Sequence, residues 1–365
     1  MKFNIDQQLR NHLNALLDEN ELNLSLSDLF SSMIGNREIT NTKEIEALKN
    51  ASKHSKHDIF LSKIVEYLDI DLSYEDNEEI FNHYLLSCIQ KLDEEKYLSN
   101  PYYQKFKDIV VKDGKYELVK DRYLPYELFA YKDMCRFDNS YIEKNSLGYF
   151  DKEYDFLALT QNGVTWMSIT PNEIETMENA LKYIKGDVTV FGLGLGYFAY
   201  MASNKEDVKK IKIIENDKTI INLFEKHLLP HFENKQKIEI INKNAINYVK
   251  NPIKCNFSFV DLWHDPFDGL ELFIAFKKAE KNNPNCKFLY WLESSFYLLL
   301  RRCMFTLIEE QLTEFKDSIY TKAENYLDEV INKYYFKTKN LTISSKAQLD
   351  ELLSNECLLN LLIDD

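Results

Sequence analysis

The sequence predicts an α/β protein built on a mostly parallel sheet with helices on both faces. Three observations carry this expectation. First, short β-branched or aromatic runs alternate with helix-like stretches: Val188–Phe191, Lys212–Ile214, Ile238–Ile241, Phe257–Val260 and Phe288–Trp291 are each followed by a helical segment. That alternation lays parallel strands side by side and covers both faces of the sheet. Second, three of the chain's nine glycines, Gly192, Gly194 and Gly196, fall within five residues directly after the first of these strands. Glycines there let a strand-to-helix turn take positive φ and let a ligand approach the backbone. The helix that follows offers unpaired N–H groups to a polar or anionic ligand. Third, Glu215 ends the second strand, about twenty residues after the loop, where an acid can accept hydrogen bonds from ribose hydroxyls.

The elements before the sheet are of another kind. Residues 1 to 105 read as helices. Ile80, Phe81, Tyr84, Leu85, Cys88, Ile89 and Leu92 recur at helical spacing, with Asp76 and Glu79 as a capping box. Ile59, Phe60, Ile64, Val65 and Leu68 form a second apolar face. The polar stretch 35–56 reads as a loop or short helices, and Asn100-Pro101 closes the helical section. This unit is expected to pack on the rest without supplying cofactor contacts.

Residues 106 to 170 read as a small antiparallel β unit. Ile109–Val111 and Tyr116–Val119 flank a Gly114 turn, and Phe156–Thr160 and Val164–Ile169 flank Asn162-Gly163, a pair suited to a type I′ turn. Thr170, Pro171 and Glu173 then open a helix as a capping box with proline in the first turn. Residues 171 to 365 form the sheet domain, with Lys333–Lys337 and Leu341–Ile343 as its last strands and closing helices after residue 345.

Composition narrows the function. The chain has 365 residues, enough for two domains, and its 45% hydrophobic and 28% charged residues are ordinary for a soluble globular protein. A net charge of −14, with no Lys/Arg run, excludes nucleic acid and anionic membrane as partners and suits a small neutral or cationic acceptor. The longest apolar run, Phe296–Leu300, is too short to span a bilayer, and the polar start Met1–Arg10 does not read as a signal peptide. Six scattered cysteines without a C-x-x-C pair read as reduced, mostly buried thiols of a cytoplasmic protein. The Lys, Asn and Ile richness fits an AT-rich bacterial genome.

The chemistry-bearing residues collect after the strands. Gly192, Gly194 and Gly196 give G-x-G-x-G, and Gly194, Gly196 and Ala199 also satisfy the dinucleotide form G-x-G-x-x-A. Asn216 and Asp217 follow Glu215 and share its position. The third strand leads to Asn244-Ala245, and the fourth to Asp261-Leu262-Trp263-His264-Asp265-Pro266. In an open α/β sheet, ligands sit beyond the carboxyl ends of the strands, so these residues face the ligand side. The pair His227/His231 is interrupted by Pro230 and has no third ligand, so no metal is expected.

Residues 185 to 300 resemble a class I S-adenosylmethionine-dependent methyltransferase, closest in pattern to the spermidine-synthase-like branch. The resemblance rests on the glycine loop, on Ile213-Ile214-Glu215-Asn216-Asp217-Lys218 with Leu229-Pro230, and on Val260-Asp261-Leu262-Trp263-His264-Asp265-Pro266. It implies a Rossmann-like core with a mostly parallel seven-stranded sheet. It also implies that S-adenosyl-L-methionine binds at Gly192, Gly194, Gly196, Glu215, Asn216, Asn244, Ala245 and Asp261 and leaves as S-adenosyl-L-homocysteine. Asn244 stands where the family has an aspartate. Asp261 and Asp265 are the candidate catalytic carboxylates, able to take a proton from an amine acceptor. Trp263 and His264 are candidate acceptor contacts, the indole through a cation–π interaction. The segments before residue 171 shape the acceptor site or a homodimer interface. Thr165–Ile169 lacks the tyrosine and glutamine pattern of aminopropyltransferases, which ranks methyl transfer above aminopropyl transfer. The remaining rivals are an NAD-dependent enzyme and a non-catalytic binding or scaffold protein with this fold.

Overall fold

A computed structural model of the chain describes residues 1–312 and 323–364. Its centre is a five-stranded sheet of Gly186–Phe191, Val208–Glu215, Ile238–Asn242, Phe257–Val260 and Lys287–Tyr290. In space the order is third, second, first, fourth, fifth, and every neighbouring pair is parallel. These are five strands in the order of a doubly wound α/β sheet, with its switch point between the first and fourth strands. Val188, Val190, Ile211, Ile213 and Ile214 are buried, as strands covered on both faces require. Helices Pro171–Tyr183, Tyr197–Ser203, Lys218–His227, Ala245–Val249, Pro266–Glu280 and Glu293–Leu312 supply the cover. The register aligns Phe191 with Ile214 and Val260, Glu215 with Asn242, and Val260 with Tyr290. The glycine loop and the segments after Glu215, Asn242 and Val260 therefore leave the sheet along one edge.

Seven strands were expected, and among the described residues this sheet has five. Lys333–Lys337 lies inside the helix Tyr326–Thr338, which buries Val330, Ile331, Tyr334 and Thr338 at helical spacing and is capped by Asn325. Thr342–Ile343 is a strand, but it pairs in parallel with Lys2–Phe3, outside the main sheet.

The antiparallel sheet runs in the order Val164–Ser168, Tyr154–Gln161, Tyr116–Tyr123, Val111–Asp113. Asn162 and Gly163 take φ values of 52° and 80°, the two positive angles that a type I′ turn needs.

The helical section departs from its periodicity in two places. The apolar face thought to run to Leu92 stops being helical at Cys88, after a widened turn over Phe81–Leu85 and a tight one over Leu86–Cys88. Ile89–Lys91 is instead a strand whose partner is Leu147–Tyr149, so a distant backbone outcompetes local spacing. Tyr74, not Asp76, precedes this helix, and no side chain caps it. Asn100-Pro101 starts a helix rather than ending the section: Asn100 caps Pro101–Phe106 through the amides of Tyr102 and Tyr103. The polar stretch holds the helix Thr42–Ala51.

Apolar side chains form one large core around the main sheet and a smaller second core. The helix Gln7–Met33 contributes Leu9, Leu13 and Leu16 to the first and Leu26, Phe30 and Met33 to the second. Cys255 and Cys286, just before two adjacent strands, are paired as a disulfide with Cα atoms 5.6 Å apart, so not all six thiols are free. Among the described residues no helix is long and apolar enough to cross a membrane.

Candidate functional site

The glycine loop follows Phe191 and turns into the helix Tyr197–Ser203. Gly192, Gly194 and Gly196 all have positive φ, at 96°, 51° and 79°. Their surroundings differ. A side chain at Gly192 would run into the Asp261 carbonyl oxygen, and one at Gly196 would strike the Phe224 ring. At Gly194 a side chain would meet nothing within 4 Å. Two of the glycines are therefore needed for packing, while the third presents bare backbone to an open face.

Glu215 holds this loop from the next strand. Its Oε2 accepts from the Leu193 amide at 3.1 Å and its Oε1 from the Asp217 amide at 2.7 Å. Asp217 caps the helix Lys218–His227 by accepting from Thr219 and Ile220. Asn216 is exposed, and its carbonyl accepts from the Asn242 side chain at 2.9 Å. On the third strand's loop, Asn244 Oδ1 accepts from the Asn247 amide at 3.0 Å as a helix cap, and Ala245 is buried behind it.

Asp261 lies one residue beyond the fourth strand, and its amide donates to the Phe191 carbonyl at 2.9 Å. Asp261 is half-buried. That burial pushes its pKa up to about 7, against a smaller lowering by His264. The carboxyl of Glu173 is held well above its ordinary range, by burial first and by the charge of Asp261 second. Glu173 was expected to complete a capping box with Thr170, but Thr170 makes no side-chain cap bond. The first turn of Pro171–Tyr183 instead brings Glu173 towards Asp261. The helix is tied down one turn later, where Trp291 Nε1 donates to Thr176 Oγ1 at 2.8 Å.

The residues after Asp261 are placed differently from expectation. Trp263 is buried, donates to the Trp291 carbonyl at 3.3 Å and packs edge-on against Phe296, so its indole belongs to the core rather than to an acceptor. Asp265 caps the helix Pro266–Glu280 in a reciprocal box with Asp268, accepting from Phe267 at 2.7 Å and Asp268 at 3.1 Å. Its carboxylate is occupied by the helix start. His264 is exposed and directed to Asp268, with Nδ1 3.0 Å from Oδ2. The structure thus gathers the glycine loop, Glu215 and Asp261 on one edge and adds Glu173. The signal for Glu173 was its place on the helix leading into the first strand, where a capping reading absorbed it.

Elsewhere, His227 Nε2 lies 2.9 Å from Asp113 and takes no part in this edge. Among the described residues no group of three His, Cys, Asp or Glu side chains could hold a metal ion.

No protein-family model matches the chain, and no curated protein matches it. Solved structures with similarity include a spermidine synthase in complex with the transition-state analogue AdoDATO, at TM-score 0.30 and 20% identity over 41% of this chain and 60% of that one. They also include spermidine synthase from Thermotoga maritima, at TM-score 0.30 and 16% identity over 47% of this chain and 68% of that one. The chain thus spans well under the whole length of either. Similarity at this level carries no inference about activity.

Proposed function

We propose that the chain is an S-adenosylmethionine-dependent methyltransferase acting on a small neutral or cationic acceptor. The observation that carries this reading is the half-buried Asp261, its carboxyl raised into the neutral range, beside a glycine loop whose Gly194 face is open. The residues present fit the cofactor. Each Glu215 oxygen accepts one backbone N–H and keeps a further lone pair for a ribose hydroxyl. The backbone at Gly194 leaves room for the amino-acid portion, and Asn244 and Ala245, at the start of the helix after the third strand, would border the base.

When bound, S-adenosylmethionine supplies an electrophilic methyl group on a sulfonium. Transfer is an in-line displacement, so this chain's residues act mainly by positioning. With an amine acceptor, the nitrogen must shed a proton as the new bond forms, and an ionised Asp261 oxygen accepts it. Burial and the charge of Asp261 both favour the protonated form of Glu173, which disfavours two negative charges on the pair. Trp263, Asp265 and Asp268 hold the frame around them.

A second reading, aminopropyl transfer from decarboxylated S-adenosylmethionine, is favoured by the acidity of the edge. Glu215, Asp261, Asp265 and Asp268 would disfavour a donor carboxylate, which that molecule lacks. Thermal unfolding with S-adenosylmethionine, its decarboxylated form or NAD separates the readings. A ligand at a hundredfold excess over its dissociation constant stabilises by about 2.7 kcal/mol. Stabilisation by S-adenosylmethionine supports the first reading, and stabilisation by the decarboxylated form alone supports the second. Stabilisation by NAD alone, or by none of the three, overturns both. Binding of S-adenosylmethionine without transfer to any of a panel of small amines leaves a binding protein.

A further inference from the structure

We infer that the Asn100–Tyr102 turn, which lies outside the sheet domain, positions the glycine loop. Tyr102 is buried, and its hydroxyl donates to the Leu195 carbonyl at 2.6 Å, across 93 positions of sequence. The Leu195–Gly196 peptide is a rigid plane, so fixing its carbonyl also fixes its N–H. That N–H closes the loop by donating to the Leu193 carbonyl at 2.9 Å. Leu193 in turn donates to Glu215. A single chain of hydrogen bonds thus runs from Tyr102 through the loop to the acid at the end of the second strand.

Asn100 adds a second point of contact. Its Nδ2 donates to the Tyr197 hydroxyl at 3.1 Å, while its Oδ1 accepts from the Tyr102 amide at 2.9 Å. The Tyr102 ring meets Tyr197 and Tyr200 edge-on at 5.4 and 5.5 Å. The loop and the first turn of its helix are therefore braced by Asn100 and Tyr102, while a side chain at Gly194 would meet nothing within 4 Å. Without the Tyr102 hydroxyl, the Leu195 carbonyl is a buried acceptor with no partner, and the peptide gains a reason to rotate. Tyr102 is a positioning residue: it touches the loop, not the ligand.

That the braced loop holds S-adenosylmethionine rests on the proposed function, so the test separates the two. Hydrogen exchange of the peptide covering 192–198 reports the brace without any ligand, and calorimetric titration with S-adenosylmethionine reports the site. Tyr102→Phe keeps the ring and removes the hydroxyl. Tyr334→Phe is the control, since its buried hydroxyl also donates to a carbonyl, that of Leu358 at 3.1 Å, far along the chain in the last helices. The expected result is faster exchange of 192–198 in Tyr102→Phe alone, with affinity reduced about three- to tenfold, the range of one buried hydrogen bond. Asn100→Ser, which keeps a helix cap and loses the reach to Tyr197, should give a smaller change of the same kind and carries the test if Tyr102→Phe does not fold. Exchange of 192–198 at the wild-type rate in the folded variant, or equal acceleration by Tyr334→Phe, overturns the inference. Faster loop exchange together with no wild-type affinity for S-adenosylmethionine leaves the brace standing and removes the functional reading.

Discussion

Glu215 and Asp261 stand on the same sheet edge, on either side of the strand that carries the glycine loop, and they are built for opposite tasks. Glu215 accepts two backbone amides, one from the loop and one from the next helix. Its charge is already engaged in holding shape. Asp261 is half-buried, its carboxyl accepts no such amides among the described residues, and burial lifts its pKa to about 7. A carboxylate that accepts amides is a clamp; one raised into the neutral range can exchange a proton. The chain uses one functional group, the carboxyl, for both roles and separates them by environment.

The largest effect should come from removing the exchangeable proton. Asp261→Asn keeps the shape, and single turnover with an amine acceptor should fall about 10²–10⁴-fold while cofactor affinity stays within about twofold. Wild-type turnover in the variant would erase the contrast. In the parent protein, turnover should rise with pH and level off above about 7, because the ionised form of Asp261 takes the proton. Stability should move the other way. The folded state binds the Asp261 proton more tightly than the unfolded chain, so this contribution is complete at acid pH and disappears as pH rises through about 7. Chemical denaturation of parent and Asp261→Asn at pH 5 and pH 8 should show the parent losing ground at the higher pH. Parallel stabilities at both values would mean that the carboxyl is not raised.

On the clamp side, Gly194→Val places a branched side chain at a φ of 51° on the open face and should weaken cofactor binding about tenfold to a hundredfold, from strain of this kind. Calorimetry on the folded variant checks this, and undiminished affinity would show that the face is not used. Glu215→Ala should cost about 1.5–3 kcal/mol of binding, and Glu215→Gln less, because the amide oxygen can still accept from one backbone group. If the two variants bind alike, the charge does nothing beyond shape. The smallest effect on chemistry belongs to Asp265. Asp265→Ala should lower stability by about 1 kcal/mol, the cost of a helix cap, and leave turnover within about twofold. A large loss of turnover would return Asp265 to the catalytic group.

Local pattern explains why some of this was legible. Phe257–Val260 lies where its apolar run placed it, the Asn162-Gly163 turn has the positive angles its residues favour, and the three glycines mark the strand-to-helix turn. Period, turn chemistry and glycine content are properties of neighbouring residues. What stayed hidden depends on distant partners. Glu173 reads as a cap until the fold carries it to Asp261, and Trp263 reads as an acceptor contact until Phe296 and Trp291 surround it. Lys333–Lys337 has strand-like composition, yet Tyr334 and Val330 bury the face of a helix. The Tyr102 contact joins positions 93 apart, and no local periodicity encodes it.

The pairing of Lys2–Phe3 with Thr342–Ile343 bears on how the chain can be made. The Lys2 amide donates to Leu341 at 2.8 Å and the Asn4 amide to Ile343 at 2.9 Å, while His12 meets Asp350 at 3.0 Å. Synthesis proceeds from the amino end, so Leu341–Ile343 emerge from the ribosome long after Lys2–Phe3. Until then Leu9, Leu13 and Leu16 lack part of their apolar cover, and the nascent chain must wait with a sticky helix exposed. Contacts of such long sequence separation slow folding. The early helices are therefore where a chaperone would find the growing polypeptide.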